Sequence, residues 1–279
     1  MTERIISHDK AIERSRAAKL YKITSTQAGE NSAPGASHCP RLLILKSLGA
    51  SPVIDTYVRM KTKFAEDIEV EVIVESLSET DMINRIAEAN IDSKIQGIIV
   101  QLPLDNASQT DTLCNKITPE KDVDGLGVGS LFPSATAQAI DWLLAGYGID
   151  LTKKHIAIVG NGRLVGNPLS QMWKSRGYMV TILDDSSDNI QEVLRASDVI
   201  VSATGSPRIV KSCDVKPGAI VVDAGTASEK GKIVGDVAED VRERKDLTIT
   251  PKKGGVGPLT YTVLFDHLIE ACLKKAGML

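Results

Sequence analysis

Tyr57 and Lys61 stand four residues apart in a segment, Pro52 to Phe64, whose pattern predicts a helix, so their side chains share one face. An aromatic ring beside an amine suits a flat ligand with a proton to move. Gln101 follows the apolar run GIIV, at the carboxyl end of a predicted strand, where α/β sheets bind ligands. Its amide can donate to a developing oxyanion. In the string PEKDVDG, Pro119 to Gly125, Asp122 and Asp124 fall in a turn, and the Asp124 carboxylate can hold the N–H and amino groups of a heterocycle. Each has a plainer reading: a solvated helix face for Tyr57 and Lys61, a turn residue for Asp124.

A second constellation starts at His155, where the apolar strand HIAIV runs into the turn GNGRLVG and then a helix around Pro168 to Lys174. Gly160 permits the tight turn, Gly162 lets the backbone approach a pyrophosphate, and Gly166 allows the helix to pack close against the strand, its N-terminus facing the anion. Asn161, Arg163 and Val165 complete this candidate cofactor turn. The spacing G-x-G-x-x-x-G is one residue longer than the usual fingerprint. Roughly 20 residues on, the strand Met179 to Leu183 ends in Asp184 and Asp185, where an acidic side chain can accept from a ribose 2′-hydroxyl and repel a 2′-phosphate. The plainer reading makes these two the start of a solvated loop. Two more apolar strands, DVIVSATG and AIVVDAG, each end in glycine, and Thr204 and Gly205 close the first of them as further cofactor candidates.

These residues need elements to carry them, and the chain supplies two α/β rhythms. Before the glycine turn come RLLILKSL as a strand, the Pro52 to Phe64 helix, VEVIVES as a strand, a helix over Asp81 to Asn90, the strand GIIVQLPL and a helix around Asp111 to Ile117. That predicts a three-layer α/β unit. The second half predicts a doubly wound parallel sheet of Rossmann type. The string GLGVGSLF, Gly125 to Phe132, reads as the junction, and the Ser- and Gly-rich segment Thr24 to Arg41 reads as a loop.

With 279 residues, the chain is long enough for two domains. A net charge of −3 gives no general pull toward nucleic acid, so an anionic ligand needs a local site. Cys39, Cys114, Cys213 and Cys272 are far apart and form no C-x-x-C pair, which fits free thiols in a reducing compartment and no metal site. No apolar run approaches the length of a membrane span, and the amino-terminal residues lack an apolar signal segment, so the expectation is a cytoplasmic protein without membrane or nucleic-acid partners.

Taken together, YVRMKTK, GIIVQLPL, PEKDVDG, VGNP, GDV and above all TPKKGGVGPLT resemble the bifunctional methylenetetrahydrofolate dehydrogenase/cyclohydrolase family, from about Leu42 to Ala276. The resemblance implies hydride transfer from 5,10-methylenetetrahydrofolate to a nicotinamide, then hydrolysis of the methenyl product to 10-formyltetrahydrofolate. It implies Lys61 as the catalytic lysine, Gln101 as its helper, Tyr57 as the ring that stacks on the folate, and Asp124 as the carboxylate that anchors the pterin. Leu102, Pro103, Gly255 and Pro258 would add substrate contacts, the glycine-rich string Gly254 to Pro258 shaping a cleft between domains. The implied domains are a folate-binding catalytic domain over 1–126, completed by a helix at 259–279, and a Rossmann-like dinucleotide-binding domain over 127–258. A homodimer is implied as well.

The chain departs from the family pattern at several points. Where the family has DPAS this chain has SPVI, putting Ile54 in place of a serine near the lysine. Where it has GRS at the cofactor turn and CHS after the second strand, this chain has Gly160, Asn161, Gly162 and Leu183, Asp184, Asp185. Both changes remove expected contacts to a 2′-phosphate, so NAD is favoured, with NADP possible through Arg163. PCTP is eroded to PSAT, and the segment between Gly125 and Pro133 looks shortened. Two alternatives stand beside the bifunctional enzyme: a catalytically degenerate folate- or nucleotide-binding paralogue, and a dehydrogenase without cyclohydrolase activity.

Overall fold

The computed structural model describes residues 40–275 apart from 230 and 231; the candidate loop up to Cys39 lies outside the described residues. These residues divide into two compact units, one running to Ala135 and resuming at Tyr261, the other Thr136–Thr260.

The first unit begins β1 (Arg41–Ser47), α1 (Pro52–Asp67), β2 (Glu71–Leu77), α2 (Glu79–Ile91), β3 (Gly97–Val100) and α3 (Thr110–Cys114). Pro52 opens α1, where its missing N–H costs nothing, and the Ser78 hydroxyl caps α2 by accepting from the Asp81 amide. The strands form a parallel sheet ordered β2-β1-β3, with Leu43 beside Ile98 and Leu45 beside Val100. That face packs on Met82, Ile86 and Ala89 of α2 and Leu113 of α3. On the other face Gly97 pairs with Leu42, and a side chain there would meet Leu268 at 2.7 Å. The last helix therefore covers this face, and Phe64 of α1 joins it through ring contacts with Tyr261 and Phe265 at 5.1 and 5.4 Å. The result is the expected three layers.

Three local details differ from the sequence expectation. GIIVQLPL is strand only to Val100, because Pro103 brings no N–H to a ladder, and the Leu102–Pro103 peptide is cis. The helix expected over Asp111 to Ile117 is the short α3, preceded by a tight turn at Ala107–Gln109. The string Gly125 to Phe132 packs within the first unit: Leu131 N–H donates to the Pro119 carbonyl at 3.2 Å, and the Phe132 ring stacks on His267 at 4.9 Å. The contact boundary falls after it, between Ala135 and Thr136.

The second unit carries α4 (Ala135–Gly146), β4 (His155–Val159), α5 (Gly166–Ser175), β5 (Met179–Leu183), α6 (Ile190–Ala196), β6 (Val199–Ser202), β7 (Ile220–Asp223), a hairpin of β8 (Ala227–Glu229) and β9 (Lys232–Val234), α7 (Glu239–Arg242) and β10 (Thr248–Ile249); α8 (Val256–Lys275) follows. Its main sheet is parallel in the order β10-β7-β6-β4-β5. One face buries Ala157, Val159, Ile200 and Val221 against Leu194 of α6 and Val241 of α7. Toward the other, α4 and α5 are tied together where the Trp173 indole donates to Asp141 at 2.8 Å. Helices on both faces of a parallel sheet make this a doubly wound unit.

Candidate active site

Lys61 lies on the buried stripe of α1 with Ile54, Val58 and Ala65, not on a solvated face, and is only 9% exposed. Its Nζ donates to Gln101 Oε1 at 2.6 Å, and the Gln101 amide nitrogen donates to the Leu102 carbonyl at 3.1 Å. The helix thus delivers the amine to the carboxyl end of β3. Burial pushes the Lys61 pKa down, and the negative charge of Asp124 works against that shift. Burial likewise pushes Asp124 up, the Lys61 charge opposing and the Asp122 charge adding to it. An amine, an amide and a carboxylate are therefore gathered in one unit, each predicted from sequence.

The two aspartates of PEKDVDG have separate jobs. Asp122 is buried and accepts from the amides of Gly127 at 2.7 Å and Gly125 at 3.2 Å, so it shapes the turn that presents the half-buried Asp124. His267 of α8, which the sequence reading missed, supports the same turn. Its Nδ1 lies 2.8 Å from the Val123 carbonyl, so this nitrogen carries the proton, and burial lowers the ring's pKa. Tyr57 sits half-buried one turn before Lys61, Leu102 is half-buried and Pro103 exposed. Gly255 and Pro258 belong to the other unit, Pro258 buried near the start of α8.

In that second unit the glycine turn has three separate causes. Gly160 has φ +100, which favours glycine, and a side chain on it would lie 2.5 Å from the Ala203 carbonyl. At Gly166 a side chain would lie 1.8 Å from the Gly160 carbonyl, so this glycine lets the start of α5 close onto the turn. A side chain on Gly162 would meet nothing within 4 Å among the described residues, which leaves the backbone open to a ligand. Gly160 N–H donates to the Leu183 carbonyl at 2.7 Å, which brings the turn beside the end of β5. There the Asp184 carboxylate is held below the usual range by the Ser186 hydroxyl and amide and the Ser187 hydroxyl, with the Asn161 side chain contributing. Asp185 is exposed, Arg163 half-buried, Val165 buried at the N-cap of α5, and Gly205 has φ +69 beside the half-buried Thr204.

This arrangement fits a dinucleotide: an open glycine backbone, a helix N-terminus aimed from the turn, and acidic groups at the end of the neighbouring strand. Among the described residues, no group of three or more His, Cys, Asp or Glu is arranged to hold a metal ion, and no helix is long and apolar enough to cross a membrane.

Comparison with known proteins finds matches to both halves of the chain. The family model for the tetrahydrofolate dehydrogenase/cyclohydrolase catalytic domain matches residues 10–124, and that for the family's NAD(P)-binding domain matches residues 134–276. A protein of Thermus thermophilus called bifunctional protein FolD is 38% identical over 253 residues, 86% of this chain and 89% of its own length. The crystal structure of the bifunctional methylenetetrahydrofolate dehydrogenase/cyclohydrolase of Campylobacter jejuni superposes with a TM-score of 0.83 at 29% identity, covering 95% of this chain and 96% of that one. The Trypanosoma brucei dehydrogenase-cyclohydrolase, solved with NADP cofactor and inhibitor, gives 0.80 at 28% identity over 95% and 97% of the two chains. With one unit built around a buried lysine and the other around a glycine turn, and both domains matched, the chain belongs to the tetrahydrofolate dehydrogenase/cyclohydrolase family.

Proposed function

We propose that this protein oxidises 5,10-methylenetetrahydrofolate to the methenyl form by hydride transfer to a nicotinamide cofactor and hydrolyses the methenyl form to 10-formyltetrahydrofolate, with Lys61 moving the proton in the hydrolytic step. The carrying observation is the buried Lys61 Nζ, hydrogen-bonded to Gln101 and coupled to Asp124. A bound nicotinamide supplies the hydride acceptor; the protein supplies geometry and proton handling. A buried amine with a lowered pKa has a larger neutral fraction near pH 7, and a neutral Lys61 accepts a proton from the water that adds to the methenyl carbon. Gln101 fixes the amine through its Oε1, Asp124 accepts from the pterin N–H and amino groups, and Tyr57 stacks on the ring, with Leu102, Pro103, Gly255 and Pro258 as further folate contacts.

The cofactor is NAD(P), and NAD is the reading that Asn161, Asp184 and Asp185 support. Two carboxylates at the end of β5, one of them held ionised, oppose a 2′-phosphate, while Arg163 is the local cation that favours one. Gly160, Gly162, Val165, Gly166, Thr204 and Gly205 provide backbone contacts. The NADP-bound trypanosomal relative shows that the family also accommodates the phosphorylated cofactor. The intact Lys61–Gln101 pair favours the bifunctional enzyme over a degenerate paralogue or a dehydrogenase alone, although Ile54 is buried on the lysine's own stripe. A homodimer in the cytoplasm completes the reading. Methenyltetrahydrofolate hydrolysis by the wild type and the Lys61→Ala variant tests it: loss in the variant supports the assignment, and equal rates overturn it.

A further inference from the structure

Asp236 is fully buried behind the carboxyl ends of the second unit's strands. Its Oδ2 accepts from both the Thr204 amide at 2.7 Å and the Thr204 hydroxyl at 2.8 Å, and its Oδ1 has no hydrogen-bond partner among the described residues. Thr204 passes the restraint on, because its hydroxyl accepts from the Ser206 amide at 2.9 Å and its methyl lies 3.1 Å from where a side chain on Gly160 would stand. The carboxylate thus holds the loop after β6, and that loop backs the glycine turn after β4.

The surrounding residues are built to admit this carboxyl and its neighbour. A side chain on Gly225 would fall 2.0 Å from the Asp236 carboxyl, and one on Gly235 would fall 2.0 Å from Asp223 Oδ2. Each glycine makes room for the other strand's aspartate. Asp223 is anchored by the Arg242 guanidinium and accepts from the Asp236 amide at 3.0 Å, so the second carboxylate positions the backbone of the first. Burying a carboxyl with one oxygen unpartnered is unfavourable. Its place beneath the loop that backs the glycine turn points to a task in that loop.

We infer that Asp236 is a positioning residue for the dinucleotide, clamping Thr204 so that the loop Thr204–Ser206 and the turn at Gly160 are set before the cofactor arrives. This rests on the proposed function in one respect, that the turn binds a nicotinamide dinucleotide. Preorganisation of this kind acts on cofactor affinity, and leaves the hydrolytic step at Lys61, which uses no dinucleotide, untouched.

The test is NADH binding by titration calorimetry, with methenyltetrahydrofolate hydrolysis measured on the same preparations. Asp236→Ala is expected to weaken NADH binding on the order of tenfold, the loss typical of leaving a buried donor without its acceptor, with hydrolysis unchanged. Asp236→Asn, which keeps one acceptor for Thr204, is expected to restore most of the affinity. Wild-type affinity in Asp236→Ala, or hydrolysis falling in proportion to binding, overturns the inference. If Asp236→Ala does not fold, Thr204→Val replaces it: severalfold weaker NADH binding supports the clamp, and unchanged binding overturns it. A wild type that binds no dinucleotide overturns the functional reading and the inference with it, whereas intact wild-type binding with an indifferent Asp236→Ala overturns the clamp alone.

Discussion

Lys61 Nζ and Gln101 Oε1 are 2.6 Å apart although 40 residues separate them in the chain. The contact joins a helix to the end of a strand, so the amine's position is set by the packing of the whole first unit. Gln101 also prevents the buried amine from lacking an acceptor, a condition that costs more than an ordinary hydrogen bond contributes.

Removing the amine removes the base. Lys61→Ala is expected to lower methenyltetrahydrofolate hydrolysis by roughly 10²- to 10⁴-fold, the range typical of a positioned proton-transfer group, while NADH binding is kept. Stopped-flow absorbance of the methenyl form measures the first, and calorimetry the second.

Asp124 opposes the fall in the Lys61 pKa, which gives a signed pH prediction. Asp124→Asn deletes the negative charge that favours the ammonium, so Lys61 loses its proton at lower pH. The rising limb of the hydrolysis pH–rate profile is expected to move toward acid, with weaker folate binding. Movement toward alkali contradicts the coupling.

His267 predicts a pH dependence of stability. Burial lowers its pKa below the ordinary 6.5, so on acidification the unfolded chain takes up the proton first. The contribution is fully present above about pH 6.5 and is lost as pH falls toward the folded pKa. On acidification from above the ordinary histidine pKa, the melting temperature is expected to fall more steeply for the wild type than for His267→Gln. Parallel slopes contradict it.

The cofactor reading can be reversed by substitution. Asn161→Arg with Asp185→Ser adds a partner for the 2′-phosphate and removes one of the two opposing charges. It is expected to raise kcat/KM for NADP by roughly ten- to a hundredfold, since a charge-assisted contact of this kind contributes on the order of 1.5–3 kcal/mol. Asp184 is left in place because its Oδ1 closes its own loop, accepting from the Ser186 hydroxyl at 2.6 Å and amide at 3.1 Å.

What the sequence made legible was what local pattern encodes. The alternation of apolar strands and helices gave the two α/β units, and the Tyr57–Lys61 spacing, the end of GIIV and the PEKDVDG turn named three groups that the fold brings together. Long-range partners were not legible. Nothing in the sequence ties His267 to Val123 or Asp236 to Thr204, because those bonds depend on how distant segments pack. The helix Ala135–Gly146 carries too little polar contrast to announce an exposed face, and the hairpin of β8 and β9 is only three residues to a strand. Gly166 was expected to ease packing against a strand; its closest neighbour is the Gly160 carbonyl.

The measurement that bears most directly on the account is reduction of NAD and of NADP, followed in parallel, by the purified protein and 5,10-methylenetetrahydrofolate. Turnover with NAD, and far less with NADP, is the result the account predicts. Equal or better turnover with NADP contradicts the reading of Asn161, Asp184 and Asp185, and silence with both cofactors while folate still binds contradicts the dehydrogenase itself.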